Sequence, residues 1–365
     1  MSPRPYLHSP AFDLGLFVAP GLLAAALALL LHAQDPEGGE VGLGLWIVAV
    51  LLVDVAHVYA TLYRTYLDPV ARRIHRARLL AAPLLCAWVG FLLHLESPLL
   101  FWGVMAYVAI FHFIKQHLGF ALLYVRAAGE GPLDRRLVTA AIWAVTLAPV
   151  LYWHANLPRA FTWFIDGDLI AGAPRWLGDL ALLAELPVLL AFLLRRLHLA
   201  RSGRARGPMV PLLVLTPALT WHLGIVWLDD DRAFTLTNVL LHGVPYLALV
   251  WLAGGRRWIE THLPAPLRAP PRPRPLPLFL LVLLFYALLI LLAFTEECLW
   301  DRLIWHDHPA LFGHSDPHDL HPLAAAALTA LLALPQTTHY LLDRWIWRVG
   351  PQNPALAAQL GLDDL

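Results

Sequence analysis

Lysine is all but missing from this chain: Lys115 is the single lysine among 26 basic residues. Charge as a whole is scarce, at 14% of residues, where soluble domains carry about 25%. Positive and negative side chains cancel, which leaves no basic face for a phosphate backbone and excludes nucleic acid as a partner. There are only two cysteines, Cys86 and Cys298, within or near the end of apolar runs, so a disulfide framework is excluded too. No small-residue cleavage site follows the first apolar run, 11–33, so it reads as a retained span rather than a leader. No internal repeat is visible. Arginine standing in for lysine points to a GC-rich bacterial genome, and hence to the inner membrane of a bacterium.

Apolar residues fill that space, at 59% of the chain with a mean hydropathy of +0.61. A bilayer core requires about 20 helical residues. On that measure the expected spans are 12–33, 42–66, 78–97, 98–125, 137–155, 176–194, 209–228, 233–253, 276–297 and 322–346. The chain is therefore read as all-α, a polytopic integral-membrane bundle of about ten helices in a single domain over 1–365. Arginines cluster after every second span, at Arg72–Arg78, Arg126–Arg136, Arg195–Arg206, Arg256–Arg274 and Arg344–Arg348. The intervening connections are often acidic, as in Asp229-Asp230-Asp231. The positive-inside rule then places both termini in the cytoplasm. Two connections stand out, a Pro/Arg-rich cytoplasmic linker over 261–275 and an external histidine-rich loop over 299–321.

Ionisable groups inside spans are costly and are read as functional by default. Four of the even-numbered spans carry them in stripes: Asp54, His57, Thr61 and Arg64; His112, Lys115, Gln116 and His117; Asn238, His242 and Tyr246; Gln336, His339 and Asp343. Steps of three and four put each stripe on one helix face, with His117 about 140° round from His112 and so free to meet a different neighbour. His57, His117 and His339 lie nine or ten residues before the inner end of their spans, and His112 and His242 fourteen before it. At 1.5 Å rise per residue, these five histidines fall in a slab of roughly 8 Å.

Imidazole and carboxylate one turn apart, on inward faces of a bundle, are the parts of a transition-metal site. The expected ligands are His57, His112, His117, His242 and His339, with Asp54 and Asp343 as ligands or as acceptors from the imidazole N–H groups. Asn238, Gln336, Lys115 and Gln116 are expected around them. His306, His308, His314, His318 and His321 form a second, external candidate metal group. His222, His94 and His154 are expected to make interhelical hydrogen bonds, and Thr61, Thr65, Thr235 and Thr237 to bond backbone carbonyls.

The histidine-bearing spans resemble, in general character, the integral-membrane diiron oxygenases, desaturases and hydroxylases, and the bacterial β-carotene-cleaving membrane dioxygenases. The closing stretch Thr338–Trp347 resembles that of a family of bacterial polytopic, histidine-rich membrane proteins. These resemblances imply iron as the favoured metal, mono- or dinuclear, with zinc or copper as alternatives. They also imply O₂-dependent hydroxylation, desaturation or cleavage of an apolar lipid or isoprenoid, with an electron donor as partner. The chain departs from the desaturase pattern in having no HxxHH box, and its one HxxxH, His314/His318, is expected outside the membrane. A proton- or ion-coupled transporter and a bis-histidine haem protein for electron transfer are the alternative functions for the same His/Asp/Lys stripes.

The orientation is checked by cysteine labelling with Cys86 and Cys298 replaced by serine. Asp307→Cys is expected to react with a membrane-impermeant maleimide in intact cells, and Gly203→Cys only after permeabilisation. The reverse pattern contradicts the assignment.

Overall fold

The computed structural model describes residues 4–262, 277–315 and 320–362, so most of the expected linker over 261–275 lies outside the described residues. Those described are helical, with no strand among them. A chain in hydrocarbon has no water to satisfy its N–H and C=O groups, and the helix satisfies them within one segment.

Eight helices are long and apolar enough to cross a membrane: α3 (Leu43–Arg64), α4 (Arg76–Glu96), α5 (Pro98–Ala127), α6 (Pro132–Ala155), α7 (Arg175–Arg201), α8 (Met209–Trp227), α9 (Asp231–His262) and α10 (Leu278–Trp305). This makes the chain a multi-pass membrane protein. The first expected span is instead a pair, α1 (Pro10–Phe17) and α2 (Ala19–Gln34), bent by 40°. The bend falls where Pro20 enters the second helical position of α2 and withholds its N–H from the ladder. The tenth expected span is also two helices, α11 (Pro322–Leu332) and α12 (Leu334–Ile346), which meet at Ala333 just before Pro335. Eight single crossings plus these two interrupted segments account for every apolar run, though not for ten unbroken helices.

The chain divides into two compact units. The first comprises Met1–Leu45, Trp102–Pro245 and Leu360–Leu365, and holds α1, α2, most of α5, α6, α7, α8 and the first part of α9. In it α7 lies along α6, and Gly178 allows the approach: a Cβ there would stand 3.0 Å from both Ala155 and the Tyr152 backbone. The C-terminal end of α7 is tied to the start of α6 and the turn before it by ion pairs. Arg195 reaches Asp134 at 2.7 Å, and Arg196 reaches Glu130 at 2.7 Å. Burial pushes the Glu130 carboxyl up, against the opposing pull of Arg196. Gly224 of α8 packs so closely on α9 that a Cβ would overlap the Thr237 hydroxyl.

The second unit comprises Trp46–Phe101 and Tyr246–Gln359, and holds most of α3, α4, the rest of α9, and α10 to α12. Here α4 packs against α11 and α12, and α10 against α3. Arg64, 5% exposed, closes off two helix ends. At Gly254 the α9 backbone leaves the helical region (φ 154°), which frees the Ala253 carbonyl, and Arg64 Nη1 donates to it at 2.8 Å. The same guanidinium lies 3.5 Å from the Ile346 carbonyl at the end of α12. It also donates to the Gln359 side chain at 2.8 Å. Tyr63 stacks on Phe285 of α10 at 4.8 Å between ring centroids and donates its hydroxyl to the Phe285 carbonyl.

Gly224→Ala is expected to lower stability in detergent by about 1–3 kcal/mol through overpacking. Adding Thr237→Ala should recover most of that loss, since it removes the atom that the new methyl meets. Equal melting temperatures for Gly224→Ala and the parent would show that the close approach is not as described.

Candidate metal centre

The second unit contributes a pair of histidines. His57 of α3 follows a π-helical stretch, Ile47–Val55, a local widening often found at functional positions. His339 lies in the first half of α12, where the buried side chains are Thr338, His339, Leu342 and Ile346. The two rings meet edge to face, with centroids 5.0 Å apart, and are 2% and 1% exposed. His57 Nδ1 stands 3.5 Å from the Asp54 carboxylate. His339 Nδ1 lies 2.7 Å from Thr61 Oγ1. Thr61 Oγ1 in turn lies 2.8 Å from the Tyr246 hydroxyl, which donates to Asp343 Oδ1 at 2.7 Å. The Tyr246 ring is edge-on to both imidazoles, at 5.5 Å from His57 and 5.0 Å from His339.

The first unit contributes another pair. His112 of α5 and His242 of α9 also meet edge to face, centroids 5.2 Å apart, at 6% and 0% exposure. Phe113 lies flat on the His242 ring at 3.6 Å. The Gln116 amide donates to the His242 carbonyl at 2.8 Å. That carbonyl neighbours Leu241 O, whose usual partner four residues on is Pro245 and has no N–H. His242 and Tyr246 stand one turn apart on the same continuous helix, α9. The four histidines of the two pairs are all buried, and each can offer one ring nitrogen to a metal.

The other expected residues are placed as follows. His117 is buried, and its Nε2 accepts from Trp221 Nε1 at 3.3 Å, so it faces α8 while His112 faces His242, as their angular separation on α5 requires. Asn238 donates to the Phe234 carbonyl of its own helix, and Gln336 donates to the Tyr340 hydroxyl. Lys115 falls on the exposed row of α5 with Phe111 and Gly119. In the connection between α10 and α11, His306 Nδ1 bonds Ser315 at 2.8 Å, His308 packs on Trp46 at 4.1 Å, and His321 caps α11 by accepting from Leu323 N–H. His314 is exposed, and His318 lies outside the described residues. Among the described residues, no three histidines of this connection bring ligand atoms together.

Two polar features depart from or add to the sequence expectations. Thr65 and Thr237 do bond backbone carbonyls, at 2.7 and 2.8 Å, but Thr61 joins His339 to Tyr246 instead. Its spacing of four from His57 was the available signal. His154 is hydrogen-bonded to Tyr107 of α5 as expected, whereas His222 Nδ1 bonds the Ala218 carbonyl of its own helix and its Nε2 lies 2.7 Å from Glu185 of α7. Glu185 is an intramembrane carboxylate outside the four stripes. The chain matches no protein-family model, no curated protein and no solved structure.

Tyr246→Phe removes a donor to Asp343 and a partner of Thr61 in one step. It is expected to destabilise the protein by about 1–3 kcal/mol, read by thermal unfolding in detergent. Tyr286→Phe, on the partly lipid-exposed α10, should change little. Equal effects of the two substitutions would contradict the placement of Tyr246.

Proposed function

We propose that the two histidine pairs bind one transition-metal ion, with His57, His112, His242 and His339 each supplying a ring nitrogen. The observation that carries this reading is the burial of four imidazoles in apolar membrane helices, in two edge-to-face pairs. Neutral imidazoles suit iron, zinc, copper and nickel. Asp54 and Asp343 stand beside one imidazole each and add negative charge next to a cation. Iron is the favoured metal, following the resemblance to membrane oxygenases.

The protein is then a membrane-embedded metalloprotein of the bacterial inner membrane, and O₂-dependent oxidation of an apolar lipid or isoprenoid is the activity that suits the site. Iron supplies O₂ activation when bound. The chain's own part is to hold the imidazoles neutral and oriented and to keep water out with Phe113, Tyr246 and the surrounding apolar helices. Substrate would reach the site from the bilayer. Hydroxylation or desaturation by O₂ consumes two electrons beyond those taken from the substrate, so either reaction implies an external electron donor. Oxidative cleavage that places both oxygen atoms in product needs none.

Metal analysis of the detergent-purified protein is expected to find about one ion per chain. His57→Ala and His242→Ala, one from each pair, should each abolish it. His222→Ala and the combined replacement of His306, His308 and His314 should not. Metal retained in both pair variants, or lost only with the outer histidines, would contradict the proposal.

A further inference from the structure

With Asp343 ionised, the hydrogen-bond chain beside His339 admits one order of protons. A carboxylate accepts and does not donate, so the Tyr246 hydroxyl gives its single proton to Asp343 Oδ1, 2.7 Å away. With that proton committed, the phenol oxygen is the acceptor toward Thr61 Oγ1 at 2.8 Å, and Thr61 is the donor. Thr61 also has a single proton. Toward His339 Nδ1, at 2.7 Å, its oxygen must therefore accept, and the imidazole donates. A neutral ring with its proton on Nδ1 carries its lone pair on Nε2.

We infer that Thr61 and Tyr246 are positioning residues that hold His339 as the Nδ1–H tautomer and so assign Nε2 as its metal-ligating atom. The ligand half of this statement rests on the metal reading above, while the tautomer half needs no metal. Metal-bound histidines commonly donate their second N–H to a carboxylate, which orients the ring and raises its basicity. Here Asp343 stands 3.7 Å from His339 Nδ1, too far for a direct hydrogen bond, and its charge acts through two intervening hydroxyls. Both are out of reach of solvent, with Thr61 5% and Tyr246 0% exposed, so water does not compete for either bond. Thr61 is also one turn from His57 on α3 (i+4). A single turn of one helix thus carries one candidate ligand and the group that sets the tautomer of another.

The test reads tautomers directly. The chelator-treated full chain, with ¹⁵N-histidine, is expected to show a His339 ring protonated at Nδ1 and unprotonated at Nε2. Thr61→Val keeps the shape and removes the hydroxyl. It should convert that signal to a tautomer mixture and weaken Co²⁺ binding by about 10- to 100-fold. Thr61→Ser should restore both, an outcome a packing role for the threonine methyl would not give. The signal is assigned by its response to Thr61→Val as well as by its loss in His339→Gln, so a misfolded histidine variant does not remove the test. A His339 ring protonated at Nε2 in the wild type, or an unchanged tautomer and Co²⁺ affinity in Thr61→Val, overturns the inference. A wild type that takes up no Co²⁺ yet shows the Nδ1–H ring overturns the ligand assignment together with the metal reading and leaves the tautomer assignment standing.

Discussion

In hydrocarbon no water stands ready to take up an unmade hydrogen bond, so buried polar groups in this chain depend on partners built into the fold. That constraint explains why its polar residues come as connected sets. The Gln116 amide binds the His242 carbonyl, Trp221 donates to His117, Glu185 takes His222, and Arg64 fills the carbonyl vacancy made by the Gly254 break. The set around His339 goes furthest, from ring to threonine to tyrosine to carboxylate. A packing defect at any of these points would leave a charge or a dipole facing lipid.

The same constraint gives a buried histidine pair its chemical meaning. Two neutral imidazoles edge to face in a dry interior offer the kind of nitrogen donors that suit a transition-metal ion. Each of the two units holds such a pair, and each pair is braced by a residue that fixes one member: Thr61 for His339 and Gln116 for the backbone of His242. Phe113, flat on His242, adds an apolar wall that also limits ring rotation. Rigid support of this kind is what keeps ligand geometry within reach of a metal's preferences.

Much of the helical plan was legible because lipid imposes length and hydropathy together: each expected span has a helical segment at its place. Its interruptions were less so. Pro20 and Pro335 are visible in the sequence, but transmembrane helices tolerate proline, so only the structure separates a bend at Pro20 from the continuous helices around Pro83 or Pro149. Within the candidate site, spacing correctly put His112 and Gln116 on a buried face. It misled for Lys115, because in a bilayer the outward row is as apolar as the inward one, and Phe111 is 55% exposed. The hydroxyl of Thr61 was read as bonding its own helix, since its true partners lie on α9 and α12, far away in sequence. Glu185 escaped notice for the same reason, its partner being on another helix.

The central claim is that histidine nitrogens from both pairs bind one metal ion, and X-ray absorption at the metal edge of the loaded protein tests it most directly. About four nitrogen donors near 2 Å, with the outer-shell scattering of imidazole rings, are predicted. A first shell of two or fewer imidazoles, or one containing sulfur, would contradict the account.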